Sequence, residues 1–437
     1  MDKKKIGVIS LGCDKNRVDT EYMLGILSDS GHIITNNIEE SEIIIINTCA
    51  FLKSARKESI DTILECDALR QNKLEKIIVT GCLSEKYISE IFNDLQEVDV
   101  FLGIKDYDLL IEAIEIAYKG ERVNFVGKKN DYAKKRILTT PLHYAYLKIA
   151  DGCNNFCTYC LIPKIRGKYK SEPIENLIKE AKNLGDLTEL ILVAQDITRY
   201  GSDLYNKNSL VQLIQELSKL DNIQSIRLLY CYPDVIDDDL INEIKNNPKV
   251  IKYIDIPLQH SEDRILKLMN RKGTRSSYLE LINRLKTEIK GIAIRSTFIT
   301  GFPNETEEDY QNMHKFLKEA QLFNTGFFKY SREEETPSYK LKNQITEKEK
   351  EKRLKGLYKT QNEIAKKILS GFIGTTLQVV CDGIDYDENC FYGRAYFSAP
   401  DIDTLIYFNG VNAVQGQIYN VFIEKEENLN LIGKVRI

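Results

Sequence analysis

The sequence lacks several features that would assign it at once to a common class. Its four histidines are scattered, and its net charge is only −4, so charge gives no overall attraction to nucleic acid or to an anionic membrane. No apolar run is long enough to span a bilayer. The basic start Met1–Lys5 leads into a strand-length run rather than a signal-peptide core. With 43% hydrophobic and 29% charged residues, the chain is expected to be a cytoplasmic globular protein of about two to three domains.

The ten cysteines are too few and too unevenly spaced for a disulfide scaffold. Metal or redox chemistry in a reducing compartment accounts for them better. Six fall into two groups that are described below. The other four have no ligand-like grouping and are expected to be buried thiols, with Cys66 on the core face of a helix: Cys66, Cys231, Cys381 and Cys390.

One group has the spacing C-x3-C-x2-C: Cys153, Cys157 and Cys160 follow the apolar stretch Tyr146–Ala150. Three thiolates this close in sequence can hold three irons of a four-iron cluster and leave the fourth iron open. An open position is typical of a metal centre that performs chemistry. The alternatives are a structural zinc knuckle or a disulfide knot, but no fourth Cys or His follows nearby.

The second group is dispersed. Residues 1 to about 125 alternate short apolar runs with helical patterns, which predicts a parallel α/β sandwich. Cys13, Cys49 and Cys82 each follow one of these runs, at residues 6–12, 43–48 and 77–81. Parallel strands end at one edge of a sheet, where open α/β sheets bind ligands. We therefore expect a second metal site with an open position; the alternative is that each cysteine is a small buried residue at a strand end.

The remaining chain divides by pattern. Residues 126–143 are expected to form a solvated basic linker with Lys128, Lys129 and Lys134–Arg136. Residues 144 to about 330 contain six strand-then-helix units, which predicts an open partial (β/α)6 barrel of the TIM type with its site at the carboxyl ends of the strands. A connecting helix follows to residue 369, so that 144–369 form one domain. Short alternating runs from 370 to 437 predict a small all-β barrel.

Two further features follow predicted barrel strands. Thr297–Pro303 leaves a predicted barrel strand at the same end as the cysteine loop, and its glycine would let backbone approach a cofactor; a simple turn is the alternative. His260 follows another strand and is expected to make a structural hydrogen bond.

With these pieces in place, the chain resembles the methylthiotransferase family of the radical S-adenosylmethionine (SAM) superfamily over essentially its whole length. The resemblance rests on the C-x3-C-x2-C loop, the three-cysteine amino-terminal domain and a terminal barrel similar to the TRAM fold. Ser10–Glu21, Val193–Gly201 and Ile256–His260 are similar to the branch that modifies ribosomal protein uS12. Asp14 and Asn304 depart from that branch, which commonly has Pro and Gly there.

The resemblance implies two [4Fe-4S] clusters and SAM. A SAM-binding cluster would lie on Cys153, Cys157 and Cys160, and an auxiliary cluster on Cys13, Cys49 and Cys82, with no catalytic residue separate from these ligands. Reductive cleavage of SAM would yield a radical that takes hydrogen from the β-carbon of an aspartate of uS12, and a methylthio group would be inserted there. The implied partners are uS12 and an electron donor such as flavodoxin or ferredoxin, with no membrane.

Charge bears on the choice of substrate. Residues 371–437 hold four basic and nine acidic residues, a net charge of −5. A domain that binds phosphates should be basic, whereas an acidic one suits a basic ribosomal protein. Contact with RNA is therefore not favoured, and we expect Asp382, Asp385 and Asp387 to take part in docking uS12. The alternatives are a tRNA adenosine methylthiotransferase and a non-catalytic iron–sulfur or zinc protein.

Overall fold

The computed structural model describes residues 2–127, 135–410 and 412–436. The chain forms two compact units that alternate along the sequence. The first comprises Met1–Thr139, Asp151–Asn154 and Cys160–Lys170, and the second comprises Thr140–Ala150, Asn155–Tyr159 and Ser171–Ile437. In these ranges no helix has the length and apolar character needed to cross a membrane.

The first unit is built on a six-stranded parallel sheet with the strand order β2-β1-β3-β4-β5-β6. Its strands are β1 (Lys5–Ser10), β2 (Ile33–Thr35), β3 (Ile43–Thr48), β4 (Lys76–Gly81), β5 (Val100–Phe101) and β6 (Val123–Asn124). Its helices are α1 (Asp14–Asp29), α2 (Lys53–Asp67), α3 (Cys82–Asp94) and α4 (Leu110–Tyr118). The three strands predicted from the cysteine-terminated runs are adjacent in this sheet.

The run of four isoleucines explains why β3 occupies the middle of the sheet. Ile44 and Ile46 pack in one apolar cluster with α2 and α3, while Ile43 and Ile45 pack in the cluster on the opposite face. All four are completely buried. A strand that is buried on both faces must be apolar throughout rather than alternating, as in other doubly covered parallel sheets.

The expectation of a solvated basic linker is wrong for one of its residues. The side chain of Arg136 is 1% exposed and forms an ion pair with Glu21 of α1. Glu21 also accepts hydrogen bonds from the backbone and hydroxyl of Thr139. A buried carboxylate requires such partners, so this end of the predicted linker is part of the first unit. Lys128, Lys129 and Lys134 lie outside the described residues.

The second unit contains the predicted six-stranded open sheet, which is parallel throughout and has the order β14-β13-β12-β11-β10-β7. Two short strands, β8 (Ala150–Asp151) and β9 (Lys170–Ser171), pair with each other beside the cysteine loop. The strands of the main sheet are β7 (Tyr144–Lys148), β10 (Glu189–Val193), β11 (Ile226–Leu228), β12 (Val250–Gln259), β13 (Ala293–Thr300) and β14 (Asn324–Lys329). The prediction of a six-unit partial barrel is confirmed.

Helices connect these strands as the periodicity indicates. They are α5 (Ile162–Ile165), α6 (Ile174–Lys182), α7 (Leu210–Ser218), α8 (Asp238–Asn246), α9 (Asp263–Leu268), α10 (Arg275–Glu288), α11 (Glu307–Ala320) and the connecting helix α12 (Glu347–Ser370). The last strands form a closed barrel in the order β15-β16-β17-β19-β18. They are β15 (Thr376–Asp385), β16 (Cys390–Arg394), β17 (Ile406–Asn409), β18 (Ile418–Glu427) and β19 (Asn430–Val435).

Buried ion pairs join the terminal barrel to the amino-terminal ends of the main sheet's strands. Glu189, the first residue of β10, pairs with Arg227 of β11 and with Arg394 of β16 at 2.9 Å. Arg394 also pairs with Asp382 at 2.8 Å, and Asp382 accepts a hydrogen bond from the ring of His143 at 2.9 Å. The cysteine loop follows the carboxyl end of β7, so the terminal barrel packs at the opposite end of the sheet.

A second buried contact reinforces this packing. Arg295 of β13 bridges Asp255 of β12 and Asp403 of the terminal barrel, each at 3.2 Å. The hydroxyl of Tyr253 donates to the other oxygen of Asp403 at 2.8 Å. Arg295 is therefore an internal residue that holds the terminal barrel in place.

The expectation that Asp382 docks uS12 is therefore wrong. Its side chain is only 11% exposed, because both of its oxygens are engaged by Arg394. Among the acidic residues of the terminal barrel, Asp385 caps the turn between β15 and β16, where Asp387 and Glu388 are exposed. Those two carboxylates remain available to a partner.

Other expectations hold. Cys66, Cys231, Cys381 and Cys390 are buried free thiols, and Cys66 packs in the core beside β3. His260 is fully buried and contacts Glu305 at 3.3 Å, which is the structural hydrogen bond expected from the sequence.

Candidate metal centres

Three cysteines lie together at the carboxyl edge of the first unit's sheet. Cys13 immediately precedes α1, Cys49 follows β3 directly, and Cys82 is the first residue of α3 after β4. Thr48 and Gly81 are register partners in neighbouring strands, so Cys49 and Cys82 leave the sheet side by side. Parallel strands thus bring together three thiols that are far apart in sequence.

Asn16 of α1 connects the three cysteine loops. Its side-chain amide donates to the carbonyl oxygens of Leu11 at 2.9 Å and Thr48 at 3.0 Å, which precede Cys13 and Cys49. Its side-chain oxygen lies 3.8 Å from the sulfur of Cys82. Sequence reasoning did not assign Asn16 a role. The available signal was its position three residues after Cys13, because residues three apart lie on the same face of a helix.

Two glycines leave the space that the thiols need. Gly12 has φ +93°, and a Cβ there would lie 2.8 Å from Cβ and 3.0 Å from Sγ of Cys49. Gly81 has φ +95°, and a Cβ there would lie 2.5 Å from the carbonyl oxygen of Thr48. Both the backbone conformation and the close packing therefore require glycine.

The surroundings of Cys82 and Cys49 raise the pKa of both thiols. Burial raises the pKa of Cys82 to about 12; neighbouring Arg166 lowers it, while Cys13 and Cys49 raise it further. Burial likewise raises the pKa of Cys49, with a further increase from Cys13 and a decrease from Arg166. Thiolates here require nearby positive charge, which iron or Arg166 can provide.

A polar cavity of about 280 Å³ opens beside Cys13. Its lining includes Ser10, Arg17, Thr20 and Thr139. Cys13 itself is exposed, whereas Cys49 is half-buried and Cys82 is buried. The group of thiols is therefore accessible from one side, at Cys13.

The donor set fits an iron–sulfur cluster. Thiolate is the usual ligand for such clusters, in which each sulfur holds a different iron. Among the residues that the structure describes, no three Cys, His, Asp or Glu side chains converge closely enough to hold one metal ion. Gly12 and Gly81 keep side chains out of the space between the loops.

The segments that carry Cys153 and Cys160 belong to the first unit. The backbone N–H of Cys153 donates to the carbonyl of Gly167 at 3.2 Å, and the N–H of Ile162 donates to the sulfur of Cys160 at 3.4 Å. Leu161 directly precedes α5 and Ile165 is its last residue, and both are almost fully buried in the cluster that includes Cys82. Apolar packing therefore fixes these segments against α3.

Cys157 belongs to the second unit, where two large side chains surround its sulfur. The guanidinium of Arg271 lies 3.9 Å from Sγ, and the hydroxyl of Tyr232 also lies 3.9 Å away. Arg271 stacks on the Tyr232 ring at 4.0 Å, and its Nε has no hydrogen-bond partner among the described residues.

Asn155 fixes the segment just before Cys157 to the carboxyl end of the second unit's sheet. Its amide donates to the buried carboxylate of Asp196 at 2.8 Å, and its oxygen accepts from Arg199 at 3.1 Å. Asn270 donates to the carbonyl of Phe156, a residue in the left-handed region at φ 48°. These contacts hold the strained loop in one conformation.

The turn that follows β13 is organised by a buried carboxylate. Glu305 accepts a hydrogen bond from the backbone N–H of Gly301 at 2.8 Å and pairs with Arg353 of α12 at 2.6 Å. The turn is therefore held by side-chain hydrogen bonds as well as by its glycine and proline.

Family models match three successive parts of the chain. Residues 5–103 match uncharacterized protein family UPF0004, residues 147–317 match the radical SAM superfamily, and residues 373–435 match the TRAM domain. The radical SAM match implies a [4Fe-4S] cluster and SAM as cofactors.

Curated relatives match nearly the whole chain. The ribosomal protein uS12 methylthiotransferase RimO of Caldanaerobacter subterraneus subsp. tengcongensis is 48% identical over 99% of this chain and 100% of its own length. The proteins of the same name from Thermoanaerobacter sp. and Clostridium kluyveri are each 46% identical, covering 92% and 100% of this chain and 93% and 99% of their own lengths. The chain belongs to the RimO family.

Solved structures with low sequence identity share the fold. The radical SAM methyltransferase TsrM from Kitasatospora setae has a TM-score of 0.56 at 13% identity and covers 77% of both chains. The cobalamin-dependent radical SAM enzyme OxsB has a TM-score of 0.51 at 12% identity, covering 83% of this chain and 56% of its own.

The two departures from the uS12 branch of this family have simple physical explanations. Asp14 is the first residue of α1, a position that suits proline and also an acidic residue, which interacts favourably with the helix dipole. Asn304 has φ 69°, a conformation that glycine adopts freely and that asparagine tolerates better than most residues. Neither residue changes the thiols.

Proposed function

We propose that this protein inserts a methylthio group at the β-carbon of an aspartate of ribosomal protein uS12 by radical SAM chemistry. The main support is the three thiols at adjacent strand ends in a chain that also carries the C-x3-C-x2-C loop and is 48% identical to a uS12 methylthiotransferase over nearly its whole length. A cluster that activates SAM and a second thiol-rich centre are the two components that such a reaction requires.

In this proposal Cys153, Cys157 and Cys160 hold the cluster that binds SAM, and Cys13, Cys49 and Cys82 hold an auxiliary [4Fe-4S] cluster. When bound, the first cluster would supply the electron that cleaves SAM. No side-chain acid or base can supply that electron. The chain itself positions the thiolates. Asn16 holds the three auxiliary loops in register, and Asn155 and Asn270 hold the SAM-cluster loop.

The experiment is an anaerobic reconstitution with iron and sulfide, followed by SAM, a strong reductant and either a uS12 peptide or bulk tRNA. We expect a methylthio mass gain on the peptide alone. A variant that lacks Cys13, Cys49 and Cys82 should still release 5′-deoxyadenosine but transfer no methylthio group. A variant that lacks Cys153, Cys157 and Cys160 should release none.

Other results would contradict the proposal in different ways. A mass gain on tRNA alone would keep the chemistry and replace the substrate. Iron-loaded protein that never cleaves SAM would support a non-catalytic iron–sulfur protein. Stoichiometric zinc in protein purified without oxygen, with no iron retained, would support a zinc protein.

We further propose that the exposed acidic turn of the terminal barrel takes part in docking uS12. Four charged side chains of the barrel are at most 11% exposed, namely Arg394, Asp382, Asp403 and Glu426. With these set aside, the barrel still has six acidic and three basic residues, which complements a basic ribosomal protein. Charge reversal of Asp387 and Glu388 to Lys should weaken binding of uS12 at low salt. Equal affinity of this variant and the unmodified protein would contradict the docking role.

We propose that the protein works in the cytoplasm and receives electrons from a small carrier such as flavodoxin or ferredoxin. We also propose that its domains are residues 1–125, 144–369 and 370–437, with 126–143 as the linker. A reconstituted assay in which purified carriers replace the chemical reductant tests the electron donor.

A further inference from the structure

A buried arginine lies beside the three auxiliary thiols. Arg166 follows α5, and its side chain is 1% exposed. One of its terminal nitrogens lies 4.0 Å from the sulfur of Cys82 and also contacts the side-chain oxygen of Asn16. Its positive charge lowers the pKa of both Cys82 and Cys49, and Cys13 in turn raises the pKa of the guanidinium.

Two carboxylates hold the guanidinium in this position. Asp19 of α1 pairs with it at 3.1 Å, and Asp151 pairs with its other terminal nitrogen at 3.0 Å. Asp19 is completely buried. One terminal nitrogen contacts Asn16 and Asp19, and the other contacts Asp151. Because the guanidinium is planar and rigid, these contacts leave it one orientation.

The backbone fixes Arg166 from the other side. Ile165 is buried in the apolar cluster that contains Cys82, so the next residue begins close to that sulfur. The following residue, Gly167, accepts a hydrogen bond from the N–H of Cys153. Arg166 therefore lies between Cys82 and the backbone of Cys153, all within the first unit.

We propose that Arg166 is a positioning residue that holds the Cys82 thiolate and raises the reduction potential of the auxiliary centre. This inference rests on the proposed function, because it requires a cluster on Cys13, Cys49 and Cys82. A four-iron cluster on three thiolates carries net negative charge, and reduction adds to it. A fixed cation next to a ligand sulfur therefore stabilises the reduced form, since charge and burial set the potential of such clusters.

The test is a redox titration of the auxiliary centre, followed by electron paramagnetic resonance, in the full chain with Cys153, Cys157 and Cys160 replaced by Ala. In this background we expect Arg166→Gln to make reduction at least tenfold less favourable, which for a one-electron couple is a shift of about 59 mV to more negative potential. Arg166→Lys keeps the charge and should restore most of the potential.

Two further variants separate charge from folding. Asp19→Asn combined with Arg166→Gln avoids leaving Asp19 buried without its cation, so this variant should keep its iron while its potential stays below that of the background protein. Arg70→Gln is the matched control. Arg70 pairs with Asp67 and Asp99 at the opposite edge of the same sheet, and its loss should lower stability without a change in potential.

The outcomes distinguish the inference from the proposed function. If the background protein binds no cluster at all, the proposed auxiliary centre fails, and the inference fails with it. If the background protein binds the cluster but its potential is the same in both Arg166→Gln variants, only the inference fails. Loss of iron to the same extent in the Arg166→Gln and Arg70→Gln variants would assign Arg166 a purely structural role and overturn the inference.

Discussion

At the scale of single residues, Gly12 is the position where the smallest change should have the largest effect. Gly12→Ala adds one methyl group 3.0 Å from the Cys49 sulfur, in a backbone conformation that costs an alanine about 1–2 kcal/mol. We expect this variant to bind about four rather than about eight irons per chain after reconstitution, because of the two proposed clusters only the one at Cys153, Cys157 and Cys160 can form. Iron analysis and absorption spectra measure the result.

Gly120→Ala is the control for the backbone cost. Gly120 has φ +81°, similar to Gly12, but a Cβ there meets no atom within 4 Å. This variant should lose similar stability and keep all of its iron. Full iron loading of Gly12→Ala would show that the space beside Cys49 is not needed for a cluster.

At the scale of elements, the loop before Cys157 depends on one asparagine. Asn155→Ala removes the donor to buried Asp196 and the acceptor for Arg199, which should cost about 1–3 kcal/mol in the free energy of unfolding. We expect slower SAM cleavage and a smaller fraction of SAM-binding cluster, measured as 5′-deoxyadenosine released and as iron bound in a background without Cys13, Cys49 and Cys82.

The exposed Asn208 provides the comparison for this loop. Asn208→Ala changes the same residue type in the same unit without removing a buried hydrogen bond, so both measurements should stay unchanged. If Asn155→Ala behaved like Asn208→Ala, the hydrogen bonds of Asn155 would have no part in holding the loop.

The strands that precede the cysteines could be predicted well from the sequence, because strand periodicity and the position of each thiol at a strand end are local features. The sequence could not predict Asn16, Arg166 or Arg271. Their roles depend on which loops the fold brings together, and nothing in the spacing of Arg166 from Cys82 indicates their contact. The same limit explains the error at Asp382, since a charge count cannot distinguish a surface carboxylate from one buried against Arg394.

At the scale of the whole molecule, Arg394 connects the terminal barrel to the main sheet of its unit. Arg394→Met leaves Glu189 and Asp382 without their shared cation, and the loss of one partner of a buried ion pair costs about 3–5 kcal/mol. Chemical denaturation should show this loss. Lys434→Met, which breaks the exposed pair with Glu424 in the same barrel, should cost about 0–1 kcal/mol. Equal costs for the two variants would contradict a structural role for the buried network.

The same ion-pair network predicts that the stability of the protein depends on pH. Burial raises the pKa of Glu189, but Arg227 and Arg394 outweigh it and lower the pKa from 4.5 to about 2. Because the pKa is lower in the folded state, this stabilisation is complete above about pH 4.5 and is lost as the pH falls toward 2. Chemical denaturation at pH 7, 4 and 3 should show that the free energy of unfolding falls more steeply with decreasing pH in the unmodified protein than in Glu189→Gln. A parallel fall in both proteins would contradict the lowered pKa of Glu189.

The alternation of the two units along the chain has a consequence for how the protein is made. The core of the first unit includes Leu161 and Ile165, which lie beyond the first strand of the second unit. During synthesis, this core therefore cannot close until about thirty residues after Thr139 have left the ribosomal exit tunnel. A nascent chain whose exposed part ends at residue 139 should remain sensitive to protease, whereas one whose exposed part extends past residue 170 should become resistant. Cluster insertion at Cys13, Cys49 and Cys82 would then follow the emergence of Cys153 and Cys160 rather than precede it.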